Sequence, residues 1–239
     1  MGLKKFYLDY ILESITMSIG DLTGKKMLEL GDQEVKGDSI PERTGKEYFE
    51  NRGIFHTSVD LNGLHGAIKI DLSKPAKTPE WVSYFDIITN AGTSEHVEPK
   101  QGQFECFRNV HTWLKVGGIA IHVVPNVIDL EGEGLWNDHC NNYYSQSFFE
   151  LLAKNNDYEI ISLKTAGGLI YCCLLKKSDI PFMKDRRSFL RYIQRRRGGI
   201  VYRGVNDSQI RRAVYQFARR MYHVLGIKRL IIRLGNKGR

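Results

Sequence analysis

A chain of 239 residues with 42% hydrophobic and 26% charged residues can bury a full core, which excludes a disordered or fibrous protein. No apolar run reaches the roughly 18 residues a membrane span needs, and the four cysteines show no C-x-x-C spacing, which argues against a disulfide framework or a thiolate metal site. The formal charge of +8 is uneven: residues 181–239 hold 17 Lys and Arg against 2 Asp and Glu, while the residues before them hold 18 basic and 25 acidic side chains.

Phe6, Tyr7, Tyr10, Ile11 and Ile15 have helical spacing and predict a helix over residues 6–19. Asp9 and Glu13 interrupt this segment and no small-residue cleavage site follows, so no signal peptide is expected. Residues 27–30 read as a short buried strand. Thr44 and Glu47 form a capping box that opens a short helix through Phe49. Strands are predicted over 54–59, 67–70 and 84–89, then an aromatic-rich helix over 103–114. Gly117-Gly118 turns into a fifth strand ended by Pro125, and residues 126–142 form a loop rich in Gly and Asn. Ser145 or Ser147 caps a helix through Leu152, and strands over 158–163 and 169–175 pair around the turn at Ala166-Gly167-Gly168.

Strands alternating with helices imply a parallel sheet covered by helices on both faces, and the closing hairpin makes the last strand antiparallel. The fold class is α/β, a seven-stranded Rossmann-like sheet over residues 25–178. Residues 1–24 supply an N-terminal helix that packs on this core, and residues 179–239 a basic helical extension. Within the extension, residues 207–225 place Ile210, Ala213, Val214, Phe217, Met221, Val224 and Leu225 on one helical stripe, with Arg211, Arg212 and Arg219 off it.

Three anchors for a nucleoside fall at neighbouring strand ends. Gly31 follows the first strand, Asp60 ends the second and Asp71 follows the third. A carboxylate at a strand tip accepts both hydroxyls of a ribose, and open parallel sheets bind ligands at that edge. The pattern resembles the class I S-adenosylmethionine-dependent methyltransferases, over about residues 25–177. The family's first motif is an acid, an apolar residue and G-x-G-x-G; here it reads Glu29-Leu30-Gly31-Asp32-Gln33-Glu34-Val35, with Gln33 and Val35 in place of glycines.

The resemblance implies S-adenosyl-L-methionine as cofactor, held by Glu29, Gly31, Asp60, Leu61, Asp71, Leu72, Asn90 and Ala91. In that scheme Asp60 takes the ribose, Asp71 accepts from the adenine amine with Leu72 against the ring, and Asn90 and Ala91 lie beside the methionine moiety. The stretch Thr93-Ser94-Glu95-His96-Val97 looks like the polar loop and Glu-His pair of small-molecule methyltransferases. Enzymes that methylate the amino groups of bases carry Asn/Asp-Pro-Pro-Tyr at this point, and both prolines are missing. Short-chain dehydrogenases share Asn90-Ala91-Gly92, but their first glycine motif and Tyr-x-x-x-Lys pair are absent from this chain.

Methyl transfer from a sulfonium needs a base only when the acceptor must lose a proton. His96, after the fourth strand, and His139, beside Asp138 in the polar loop after the fifth, are the candidate catalytic residues. That loop suits a small-molecule or glycan-type acceptor methylated at oxygen. His122 falls mid-strand and reads as a core histidine, while His56, His65 and His111 have no companions that suggest a site. No metal ligand set is expected.

The basic extension leaves three partners open: the chain's own core, an anionic membrane surface, or nucleic acid. An RNA-directed methyltransferase or RNA-binding protein is therefore the alternative to the small-molecule enzyme, and a scaffold that has lost catalysis is the third reading. The free cysteines fit the cytoplasm, with peripheral attachment to a membrane as a variant.

Overall fold

A computed structural model describes residues 2–37, 39–127 and 140–195. The chain opens with β1 (Leu3–Lys4) and α1 (Lys5–Ile19), then β2 (Lys26–Leu30), β3 (Val35–Lys36), α2 (Gly45–Glu50), β4 (Phe55–Asp60) and β5 (Ile68–Lys69). It continues with β6 (Phe85–Ala91), α3 (Gly102–Trp113), β7 (Leu114–Pro125), β8 (Asn142–Tyr144) and α4 (Gln146–Asn156). It closes with β9 (Tyr158–Ala166), β10 (Leu169–Lys176), α5 (Arg186–Arg191) and β11 (Ile193–Arg195).

Seven strands form one sheet in the order β5-β4-β2-β6-β7-β10-β9. β5, β4, β2, β6 and β7 run parallel, and β10 lies antiparallel between β7 and β9. Both faces are covered, so successive strand residues enter different cores. Ile87 of β6 faces α1 and α2, among Tyr7, Leu8, Ile11, Phe49 and Ile121. Its neighbour Ile88 faces α3 and α4, among Phe104, Phe107, Val110 and Phe148. The adjacent Cys172 and Cys173 divide in the same way, and all four cysteines are buried and in no disulfide.

Helix starts follow the expected chemistry. Thr44 accepts from the backbone N–H of Glu47 at 3.1 Å, while the Glu47 carboxylate accepts from the N–H of Arg43 at 2.8 Å, one residue earlier than in a standard capping box. Ser145, not Ser147, caps α4, accepting from Phe148 N–H at 3.2 Å. Several strand boundaries differ from the sequence reading, β6 reaching Ala91 and β9 Ala166. β7 begins at Leu114 and runs through Gly117-Gly118, with a register irregularity against β6 between Phe85 and Ile87. β5 keeps only two residues, as suits an edge that must not recruit another strand.

The chain beyond β10 belongs to the same core as far as β11. Phe189 of α5 packs against Phe104, Phe107, Phe148 and Phe182, and Arg186 pairs with Glu105 of α3. β11 pairs antiparallel with β8, Arg195 opposite Asn142. His139 and the expected helix over 207–225 lie outside the described residues. Among the described residues, no helix is long and apolar enough to cross a membrane.

Candidate active site

Parallel register brings the ends of β4, β2 and β6 level, with Leu30 opposite both Val59 and Asn90. Gly31, Asp60 and Asn90 therefore meet at one edge, the edge where such sheets take ligands. Gly31 has φ +93° and donates its N–H to the Val59 carbonyl at 2.7 Å. A Cβ here would collide with Thr93 Oγ1 and Gln33 Nε2, so the glycine admits a close approach by two of the chain's own side chains. Gln33 Nε2 donates to Thr93 Oγ1 at 3.1 Å, and Thr93 Oγ1 donates to the Leu30 carbonyl at 2.6 Å. The glutamine that replaces a family glycine thus pins the loop to the turn after β6.

Glu29 supports this loop from below. Its carboxylate accepts from Gln33 N–H at 2.8 Å and lies 3.1 Å from His56 Nε2, with both side chains buried. Burial pushes the Glu29 carboxyl up, against the opposing pull of His56. His56 therefore has a companion that its sequence neighbourhood does not show, and Glu29 braces the loop instead of facing the open edge.

Asp60 joins two strand-end loops. One carboxylate oxygen accepts from Asp32 N–H at 3.3 Å and the other from Asn62 N–H at 2.9 Å. An ionised carboxylate has about four acceptor positions, so lone pairs remain for a diol. Beside it, Leu61 and Leu64 are 49% and 50% exposed, apolar surface suited to a purine face. Asp32 reaches across to His65, whose Nδ1 is 2.6 Å from Asp32 Oδ2, so His65 too has a partner.

Asp71 and Leu72 are placed differently. Burial tends to raise the Asp71 carboxyl, but bonds from the Ser73 backbone and hydroxyl and from Lys74 win and hold it below the usual carboxylate range. Asp71 is thereby committed to its own turn. Leu72 is buried in the core cluster that contains Leu28, Val59 and Phe104. Gly31, Asp60, Leu61 and Asn90 sit at the ends of β2, β4 and β6, while Asp71, after β5 at the same edge, has its oxygens engaged in its own turn and Leu72 is packed in the core.

Asn90 organises the turn after β6. Its Oδ1 accepts from Ser94 N–H at 3.0 Å, and its Nδ2 donates to Ser94 Oγ at 2.8 Å and to His122 Nδ1 at 3.1 Å. Burial depresses His122 to about 3, so the ring is neutral and accepts through Nδ1. Ala91 is buried against the α1 side of the sheet. Gln103 Nε2 donates to the carbonyls of Ser94 and Val97, and the Tyr144 hydroxyl is hydrogen-bonded to Ser94 Oγ at 2.8 Å and Gln103 Oε1 at 2.7 Å. Asn142 Nδ2 donates to the carbonyls of Glu95 and Val97.

This scaffold fixes the short 3₁₀ turn Ser94–His96. Inside it Glu95 is 0% exposed, and no other residue among those described gives its carboxylate a hydrogen bond. Burial raises its carboxyl to about 7. His96 Nε2 stands 3.9 Å from Glu95 Oε1, too far for a hydrogen bond. Gln33 and Thr93 fall within the quoted motif stretches, but nothing in the sequence marked them, or Gln103, Asn142 and Tyr144, as braces. Only their polar character within apolar surroundings was visible. Among the described residues no group of His, Cys, Asp and Glu is arranged to hold a metal ion.

No family model and no curated protein matches this chain. Solved structures do. An S-adenosylmethionine-dependent methyltransferase from Clostridium acetobutylicum aligns over 71% of this chain and 90% of its own, at 14% identity and TM-score 0.50. A chain from the Haloferax volcanii complex of the Trm112 methyltransferase activator with a methyltransferase aligns over 71% and 90%, at 10% identity and TM-score 0.50. A protein from Pyrococcus horikoshii aligns over 72% and 91%, at 15% identity and TM-score 0.50. The strand order, the closing antiparallel hairpin and these alignments together establish the fold as that of the class I S-adenosylmethionine-dependent methyltransferases.

Proposed function

We propose that the chain binds S-adenosyl-L-methionine at the strand-end edge and transfers its methyl group to a small-molecule or glycan-type acceptor, at oxygen. The observation that carries this reading is the Asp60 carboxylate. It is held by two backbone N–H groups beside the Gly31 turn, with acceptor capacity left over and the exposed Leu61 next to it. Those residues fit an adenosyl group: Asp60 would hold the ribose diol, the Leu61 side would cover the base, and Asn90 and Ala91 would lie beside the methionine end. The cofactor when bound supplies an electrophilic methyl carbon. The protein's part is to hold that carbon in line with the acceptor, and positioning supplies much of the rate.

Oxygen as the accepting atom is favoured by the buried acid at Glu95 next to His96, because a hydroxyl must shed a proton as it is methylated. The 17 basic residues over 181–239 favour an anionic membrane surface as a partner of the same enzyme, which would place it peripherally on the cytoplasmic side. Isothermal calorimetry with S-adenosylhomocysteine tests the reading: saturable heat with one site per chain is expected. No heat at high protein concentration would overturn it.

A further inference from the structure

Among the described residues, Glu95 is a fully buried acid at this edge that no basic group within hydrogen-bond distance accounts for. Its backbone carbonyl accepts from Asn141 N–H at 3.2 Å and from Asn142 Nδ2 at 3.1 Å. The residues on either side are tied down as well: Thr93 to the Leu30 carbonyl, and Ser94 to Asn90 and Tyr144. This places the Glu95 turn between the loop that begins at Gly31 and the segment that returns from the loop after β7. In the reading proposed above, the first would lie on the cofactor side and the second on the acceptor side.

The carboxylate itself is fully buried, and among the described residues no group but its own backbone N–H offers it a hydrogen bond. A buried charge without a partner is costly, and a chain that needed only volume here would use Gln or Met. The titratable groups facing it are Tyr7 from α1, Cys106 from α3, Tyr144 from β8 and His96 from its own turn. Burial pushes the Tyr7, Cys106 and Tyr144 groups up, so all three are neutral at physiological pH. The Tyr144 hydroxyl is already engaged with Ser94 and Gln103.

We propose that the Glu95 carboxylate faces the methyl-transfer position and takes the proton from the acceptor's hydroxyl. The inference rests on the methyltransferase reading above. In the step, the hydroxyl oxygen's lone pair forms the new bond to the methyl carbon. The carbon–sulfur bond breaks with its electron pair left on sulfur, and the hydroxyl proton passes to a Glu95 oxygen. The ionised glutamate becomes a neutral acid and later loses its proton to solvent. An ordinary glutamate is too acidic to do this well at neutral pH, whereas burial brings Glu95 to about 7, where both proton states are accessible.

The test uses two cofactor analogues and needs no acceptor. S-adenosylhomocysteine has a neutral sulfur at the transfer position, whereas sinefungin carries a protonated amine there. Calorimetry on the full chain is expected to show sinefungin binding at least tenfold tighter than S-adenosylhomocysteine at pH 8, as a charge-assisted hydrogen bond requires. In Glu95→Gln the preference should fall to about twofold or less, with the affinity for S-adenosylhomocysteine unchanged. An undiminished preference in the variant would overturn the proposal and leave the methyltransferase reading standing. If the wild type binds neither analogue, the methyltransferase reading falls and this one with it. Should Glu95→Gln not fold, the wild type decides. Its preference for sinefungin must rise as pH increases from 5 to 8, and a preference that is flat over that range contradicts the role.

Discussion

Thr93 Oγ1 donates to the Leu30 carbonyl at 2.6 Å and occupies the space that a side chain at position 31 would need. Three constraints meet at Gly31: the left-handed backbone at φ +93°, the Thr93 hydroxyl and the Gln33 amide. Gly31→Ala is expected to cost about 1–3 kcal/mol from backbone strain alone, with further loss because Thr93 must move. Urea denaturation measures the first effect. Calorimetry with S-adenosylhomocysteine should show weakened binding, because the turn beside Asp60 is displaced.

Glu95 links stability to pH in an unusual direction. Its carboxyl ionises near 4.5 in the unfolded chain and at about 7 in the folded one. The folded state therefore gains from Glu95 at low pH and loses that gain as pH rises from about 4.5 through 7. Gln cannot titrate. Glu95→Gln should accordingly become more stable relative to the wild type across this window, by roughly 3 kcal/mol in all. Denaturant midpoints at pH 4.5 and pH 8 check it, and a difference that does not grow with pH would show that the burial is harmless.

His122 acts with the opposite sign. It ionises near 6.5 when unfolded but only at about 3 in the folded protein, where it must stay neutral to accept from Asn90. Its contribution is complete above pH 6.5 and is lost as pH falls toward 3, at up to about 1.4 kcal/mol per pH unit. In His122→Gln the dependence of stability on pH between 6 and 4 should be shallower than in the wild type. Equal slopes would mean that His122 is protonated in the fold.

The sheet was legible because its strands are short Val-, Ile- and Leu-rich runs whose both-face burial leaves continuous apolar sequence. Seven runs in alternation with helices admit few arrangements. Asp60 was legible for a related reason: an acid directly after an apolar run marks a strand tip. What escaped was pairing across the sheet. His56 meets Glu29 because β4 lies beside β2, a relation 27 residues apart in sequence, and His65 meets Asp32 only once two loops converge. Glu95 was legible as half of a Glu-His pair, but its burial was not, because only the packing of α1, α3 and β8 around it removes the water. Asp71 looked equivalent to Asp60 until Ser73 and Lys74, its own next neighbours, took its oxygens.

The first residues of the basic segment pack on the core. Phe182, Met183, Phe189 and Ile193 are buried, and β11 pairs with β8. A chain ending at residue 195 should lose binding to phosphatidylserine vesicles at low salt. A chain ending at residue 181 should be destabilised by about 3 kcal/mol or more, as loss of buried aromatic side chains requires. Thermal melts and vesicle sedimentation of both truncations separate the two effects.

The decisive measurement compares two carboxylates at the same sheet edge. S-adenosylhomocysteine is titrated by calorimetry into the wild type, Asp60→Ala and Asp71→Ala. Asp60→Ala should bind about thirtyfold more weakly, a loss of roughly 2 kcal/mol, while Asp71→Ala stays within a few-fold of the wild type. Unchanged affinity in Asp60→Ala would contradict a ribose held at the tip of β4.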